Sequence, residues 1–241
     1  MERAQQIADG LARVRERIAR AEHDAGRPAG SVRLIAVSKK MTADDIRAAI
    51  AAGQRAFGEN YAQELRDKLA LLADERTLAT LPAPPEWHFI GPLQSNKLKY
   101  VAGRVALLHS VDSPELLDAI EARGADQACL IQVNVAGEQQ KRGVSPQDLP
   151  ALLDRFTSMK WARCAGLMLI PPLGDAAPHF EALRALRDRE AARPRPNVAL
   201  TELSMGMSDD LEVAVAHGAT IVRVGTAIFG ARPAPRQIDP I

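Results

Sequence analysis

Eight short apolar runs recur along the chain, separated by segments of helical spacing, and this alternation constrains the fold more than any other feature. The runs cover residues 32–37, 54–58, 87–90, 105–111, 128–135, 163–170, 198–204 and 220–224. Short apolar runs bounded by polar residues read as strands buried on both faces of a parallel sheet. Between them, helical spacing is seen over 43–52, from Glu59 to about Ala73, and over 94–101, 146–159, 177–192 and 208–216. Thr42 can cap the first of these and Gly53 close it, and Asp112-Ser113-Pro114 reads as a helix start with proline in its first turn. Ahead of the first strand, Ile7, Leu11, Val14, Ile18 and Ala21 are spaced three or four apart, which predicts an amphipathic helix over 2–25 ended by Gly26 and Pro28. The pattern predicts the α/β class: a (β/α)8 TIM barrel with an extra amino-terminal helix, a single domain over 1–241. A doubly wound open sheet is the alternative, because periodicity does not count strands securely. Residues 81–85 read as a rigid connector and 233–236 as a mobile end.

Composition removes several function classes. Lys plus Arg number 31 and Asp plus Glu 30, so a net charge of +1 offers no electrostatic footprint for nucleic acid. No apolar stretch is long enough to span a membrane, and the amino terminus lacks a signal-peptide core. The two cysteines, Cys129 and Cys164, sit in apolar runs and read as buried hydrophobes of a reducing compartment. The five histidines lack ligand spacing, so no metal is expected. A cytoplasmic protein is the expectation.

In α/β folds ligands bind at the carboxyl ends of strands. Lys39 stands where the first strand emerges, and the adjacent Lys40 favours the neutral amine that attacks a carbonyl. Taken alone, the pair reads equally as two solvated lysines. After the seventh strand comes Leu203-Ser204-Met205-Gly206-Met207-Ser208-Asp209-Asp210, with Ser208 placed as a helix N-cap, and the eighth ends in Arg223-Val224-Gly225-Thr226. Either loop alone reads as an ordinary helix cap or tight turn, but on consecutive strands seven and eight of a barrel they predict a phosphate cradle. A nucleophilic lysine with such a cradle suggests pyridoxal 5′-phosphate, or a phosphorylated aldehyde or ketone substrate.

Val37-Ser38-Lys39, Phe57-Gly58-Glu59-Asn60-Tyr61 and Trp87-His88-Phe89-Ile90-Gly91-Pro92-Leu93-Gln94-Ser95-Asn96-Lys97 strongly resemble the pyridoxal phosphate homeostasis (YggS/PROSC) family, as do 203–210 and 222–232. The resemblance runs over nearly the whole chain. It implies a barrel like the amino-terminal one of alanine racemase, with Lys39 holding pyridoxal 5′-phosphate as an internal aldimine. It implies Ser204, Gly206, Ser208, Gly225 and Thr226 as the phosphate cradle, Arg223 beside the pyridine nitrogen and Asn60 as a pocket residue near the lysine. A permanent cation there should keep that nitrogen unprotonated and weaken the ring as an electron sink.

The roles of His88, Asn96 and Lys97 in the 87–97 block stay open between site and structural readings, and Lys141 is a mouth lysine that can receive the cofactor transiently. The racemases use a second domain and a tyrosine from a partner subunit, whereas the tyrosines here are Tyr61 and Tyr100. The expected function is therefore a non-catalytic carrier maintaining vitamin B6 homeostasis, with pyridoxal phosphate-dependent apoenzymes as its partners and no residue assigned to catalysis. A low-activity amino-acid racemase is the alternative, and a Schiff-base aldolase is a third class that does not fit the family blocks. Nothing requires a dimer, so a monomer is expected.

Overall fold

In the computed structural model, which describes residues 1–72, 84–138 and 140–230, eight parallel strands close into a barrel in sequential order. They are β1 (Arg33–Val37), β2 (Ala56–Glu59), β3 (Glu86–Phe89), β4 (Leu107–Val111), β5 (Gln127–Gln132), β6 (Ala162–Met168), β7 (Val198–Ser204) and β8 (Ile221–Val224). β8 returns to β1, with Arg33 opposite Ile221 and Ala36 opposite Val224. That pairing closes the sheet and removes the open-sheet alternative. The strands follow the apolar runs closely. β5 departs most, stopping at Gln132 because Val133 leaves the ladder to bridge Val144.

The helices are α1 (Glu2–Asp24), α2 (Ala43–Ala51), α3 (Ala62–Leu72), α4 (Pro114–Glu121), α5 (Leu149–Phe156), α6 (Ala177–Ala191), α7 (Leu211–Ala216) and α8 (Thr226–Phe229), with a 3₁₀ helix at Ser95–Tyr100. Thr42 caps α2 as expected: its hydroxyl accepts the Asp45 N–H at 3.2 Å, and the Asp45 carboxylate accepts the Thr42 N–H at 3.1 Å. Ser113 caps α4, with Pro114 at its first position. Ser208 is not the N-cap expected of it. The Asp210 carboxylate accepts the Met207 N–H, which closes a turn over 207–210, and the helix begins only at Leu211. The connector at 81–83, Ala73, and the end of the chain from residue 231 lie outside the described residues.

Side chains alternate between the two faces of every strand. Ala36, Leu108, Cys129, Ile131, Leu167 and Val222 join the large apolar layer between barrel and helices, while Ile35, Ala56, Leu107, Leu130, Met168 and Ile221 form a separate cluster inside. By the same alternation Arg33, Glu86, His88, His109, Glu202, Ser204 and Arg223 face the interior. Cys129 and Cys164 sit opposite one another on β5 and β6 as buried free thiols.

α1 lies outside the barrel against α2, α7 and α8. Its stripe of Ile7, Leu11, Val14 and Ile18 is buried, and each such side chain contributes about 1.5–3 kcal/mol when taken from water. Two arginines tie this helix to the loops at the carboxyl end of the barrel. Arg17 donates to Glu212 and to the Ser208 carbonyl, and Arg3 donates to the Phe229 carbonyl. Among the described residues no helix is long and apolar enough to cross a membrane.

Candidate functional site

The carboxyl ends of β1, β7 and β8 converge on a cavity of about 300 Å³ lined by Val37, Lys39, Met207, Ser208, Asp209, Arg223, Gly225 and Thr226. Five of the eight residues singled out in the sequence therefore meet at one place: Lys39, Ser208, Arg223, Gly225 and Thr226. Gly206 lies just behind. Its φ is +95°, its carbonyl accepts the Arg223 backbone N–H at 2.9 Å, and a Cβ there would sit 2.5 Å from that of Ala214. Only glycine fits this backbone.

Ser204 lies deeper than expected. It is fully buried below the mouth, its hydroxyl 2.7 Å from Nη1 of Arg223 and 2.9 Å from Nδ1 of His109. This places it beneath the guanidinium and away from the cavity wall. Asn60 is also set apart. It lines a neighbouring cavity of about 230 Å³ with Tyr61, Gln94, Lys97 and Arg142, and its Oδ1 is buried with no hydrogen-bond partner among the described residues. Lys141 pairs with Glu138 at 3.5 Å in the loop after β5.

Arg223 is the unusual group. It is 4 % exposed, and its side chain donates to two neutral acceptors, Ser204 Oγ and the Leu169 carbonyl at 3.0 Å. Burial lowers its pKa to about 10, opposed only by Asp210 acting at a distance, so at neutral pH it remains a cation. A buried cation held by neutral acceptors is costly unless a further acceptor meets it. The cavity above is where such an acceptor would sit.

A second polar cluster fixes the lysine's backbone, and the sequence reading missed it. Lys68 of α3, 5 % exposed, donates to the Ser38 carbonyl at 2.6 Å, to Glu59 at 2.7 Å and to Glu64 at 2.6 Å. Glu64 in turn accepts the Lys40 N–H, and Lys40 has a left-handed φ of 63°. The peptide groups on both sides of Lys39 are thus gripped from α3. Burial raises the Glu59 carboxyl above its ordinary pKa, and Lys68 partly offsets that rise. The available signal was Lys68 at a core position three after the buried Leu65 and four before the buried Leu72.

Below Arg223, His109 is fully buried, and burial, with the Arg223 charge adding to it, holds its pKa well below 6.5. Below about pH 6.5 the unfolded chain binds a proton at this residue that the native state refuses. Its contribution is therefore complete above that pH and lost as pH falls, at up to about 1.4 kcal/mol per pH unit. Urea midpoints of the wild type should fall more steeply between pH 6.5 and 5 than those of His109→Asn. Parallel profiles would assign the proton elsewhere. Among the described residues, no group of His, Cys, Asp and Glu could hold a metal ion.

Comparison with known proteins places this geometry. Residues 10–233 match the family model described as "Alanine racemase, N-terminal domain". The pyridoxal phosphate homeostasis protein of Pseudomonas aeruginosa is 46 % identical over 94 % of this chain and 96 % of its own length. The chain belongs to the pyridoxal phosphate homeostasis protein family. The member from Escherichia coli K12 is 40 % identical, over 94 % of this chain and 97 % of its own. Among solved structures, PipY of Synechococcus elongatus with pyridoxal phosphate bound superposes with a TM-score of 0.77 at 38 % identity, covering 93 % of this chain and all of that one. The alanine racemase of Corynebacterium glutamicum shares the fold alone, with a TM-score of 0.65 at 16 % identity, and this chain spans 62 % of it. The barrel is thus common to the pyridoxal phosphate homeostasis proteins and the racemases, and the family likeness over the full length is to the former.

Proposed function

We propose that this protein binds pyridoxal 5′-phosphate through Lys39 and holds it for delivery to apoenzymes in the cytoplasm, as a monomer and without turnover of its own. The observation that carries the reading is the shared cavity. The Lys39 amine faces the same space as the buried Arg223 guanidinium, which contacts no carboxylate among the described residues, beside the Ser208 and Thr226 hydroxyls. When bound, the cofactor supplies an aldehyde for the amine and a pyridine ring that can serve as an electron sink. Ser208, Gly225 and Thr226 receive the phosphate, with Gly206 giving the loop its close approach. Arg223 donates to the ring nitrogen and, as a cation, opposes a second positive charge there. Asn60 completes the neighbouring wall.

The absence of turnover is supported by the position of the tyrosines. Tyr61, 51 % exposed, lines the adjacent cavity, and Tyr100 is stacked against by Arg66 and Lys99. Neither lines the Lys39 cavity, so neither is placed as a base there. The names of the relatives, homeostasis proteins, agree with a carrier.

The first test is the visible spectrum of the purified protein before and after borohydride, beside Lys39→Ala. The wild type should carry a yellow chromophore that borohydride fixes covalently, and the variant should lose covalent fixation altogether. Fixation that persists in the variant, or a wild type that ignores added cofactor, overturns the reading. Exchange of an amino acid's α-proton in deuterated water by the loaded protein would overturn the carrier half alone.

A further inference from the structure

A continuous line of side chains runs through the inside of the barrel from its amino-terminal end to the guanidinium below the mouth. Arg223 Nη1 is 2.7 Å from Ser204 Oγ, Ser204 Oγ is 2.9 Å from His109 Nδ1, His109 Nε2 is 3.0 Å from His88 Nδ1, and His88 Nε2 is 2.9 Å from Glu86 Oε1. His88, His109 and Ser204 are fully buried, whereas the Glu86 side chain is 42 % exposed and also meets Arg33 at 3.3 Å. The line therefore joins water at the foot of the barrel to the guanidinium that lines the cavity at its mouth.

With both imidazoles neutral, one proton arrangement satisfies every contact. The guanidinium can only donate and the carboxylate can only accept. Ser204 must then accept from Arg223 and give its single proton to His109 Nδ1. His109 carries its proton on Nε2 and donates it to His88 Nδ1, and His88 donates from Nε2 to Glu86. Which nitrogen of a histidine is protonated is set by the bond its other nitrogen makes. All four bonds point the same way, and bonds aligned in this manner polarise one another in a low-dielectric interior. Each presents its negative end toward Arg223. The charged groups facing the two histidines inside the barrel are Arg33, Glu86, Glu202 and Arg223, of which Arg33 bridges Glu86 and Glu202.

We propose that Ser204, His109 and His88 are positioning residues, a one-directional relay ending on Glu86 that fixes the Arg223 guanidinium in place for the ligand above it. The relay accounts for a buried arginine that touches no carboxylate among the described residues, since the Glu86 carboxylate acts through three intermediates. It also gives His88, in the distinctive 87–97 block, a role. The proposal rests on the cofactor reading only for the identity of the ligand that Arg223 meets.

The relay itself is tested without cofactor. In the ligand-free protein labelled with 15N at histidine, two imidazoles should be neutral Nε2–H tautomers at pH 7, their signals assigned through His88→Gln and His109→Asn. A proton on Nδ1 of His109, or a doubly protonated His88, reverses the direction and overturns the proposal. With cofactor, His109→Phe and Ser204→Ala should each weaken binding by about tenfold. Each should also shift the absorption maximum of the bound chromophore, His109→Asn should restore part of the change, and the double variant should be no worse than either single one. Unchanged spectra and affinity in both single variants sink the relay's positioning role. Failure of the wild type to bind cofactor would instead sink the reading above, leaving the tautomer result to decide the relay.

Discussion

Lys68→Met is expected to cost about 3–5 kcal/mol of stability at neutral pH, as removal of one partner from a buried ion pair does elsewhere. Methionine keeps the length and apolar stem of lysine, so the loss isolates the amine. That amine has three acceptors, and one of them, Glu59, is wholly buried with its second carboxylate oxygen unpartnered among the described residues. Without Lys68, the Glu59 carboxylate keeps, among the described residues, only the Ser38 hydroxyl at 2.6 Å. Its pKa, already raised by burial, rises further. A carboxyl whose folded pKa exceeds its unfolded one destabilises fully above the folded value and is relieved as pH falls through it. The gap between wild type and variant should therefore be wider at pH 8 than at pH 5.5 in urea unfolding. A gap that does not change with pH would show that Glu59 does not carry the cost. Cofactor capture should weaken as well, because the Ser38 carbonyl keeps only the Met41 N–H of its two donors among the described residues, and Glu64, which grips Lys40, loses its ion pair. Lys39 would then sit on a loosened loop, and fixed geometry is what a covalent anchor requires.

Much of this fold is legible in the sequence because its signals are local. The stripe from Ile7 to Ala21, the Thr42 capping box and the Ser113-Pro114 start each lie within a turn or two of chain, and each appears where spacing puts it. The eight strands follow from apolar runs of the right length, and the chain order of a barrel needs no further choice. The site is legible to the depth of its outermost layer. Lys39, Ser208, Arg223, Gly225 and Thr226 can be named because a barrel brings its strand ends together. What holds them cannot. Within the relay His88 and His109 are 21 positions apart and His109 and Ser204 are 95, and the Lys68 cluster reaches back 30, and no periodicity records which polar side chains meet inside a barrel. Ser208 shows the opposite error, in which a good local N-cap signal yields to Asp210 two residues on.

Gly91→Ala is expected to be strongly damaging, although it adds one methyl group at a position of ordinary backbone angle. A Cβ there would lie 2.2 Å from the Asn60 carbonyl oxygen, 2.6 Å from its Cα and 2.7 Å from its carbonyl carbon. All three are backbone atoms, so no side-chain rotation relieves the clash and the ends of β2 and β3 must separate. Overpacking of this kind costs about 1–3 kcal/mol where side chains can adjust, and the backbone contact puts Gly91→Ala at or beyond the upper figure. The movement would fall on two functional features. The Gly91 carbonyl accepts the Ser110 hydroxyl at 2.6 Å, and Asn60 carries the buried unpartnered oxygen beside the mouth. Part of what makes the 87–97 block distinctive is thus steric: a glycine where two strand ends touch. Gln94→Ala, on an exposed residue of the same block, should stay within about 0.5 kcal/mol of wild type, so urea unfolding of the pair separates the contact from the block as a whole. If Gly91→Ala loses less than about 1 kcal/mol, well below the overpacking range, the two strand ends are not in the contact that makes glycine necessary. If it loses stability as expected but captures pyridoxal phosphate normally at a temperature where it remains folded, Asn60 has no part in holding the cofactor.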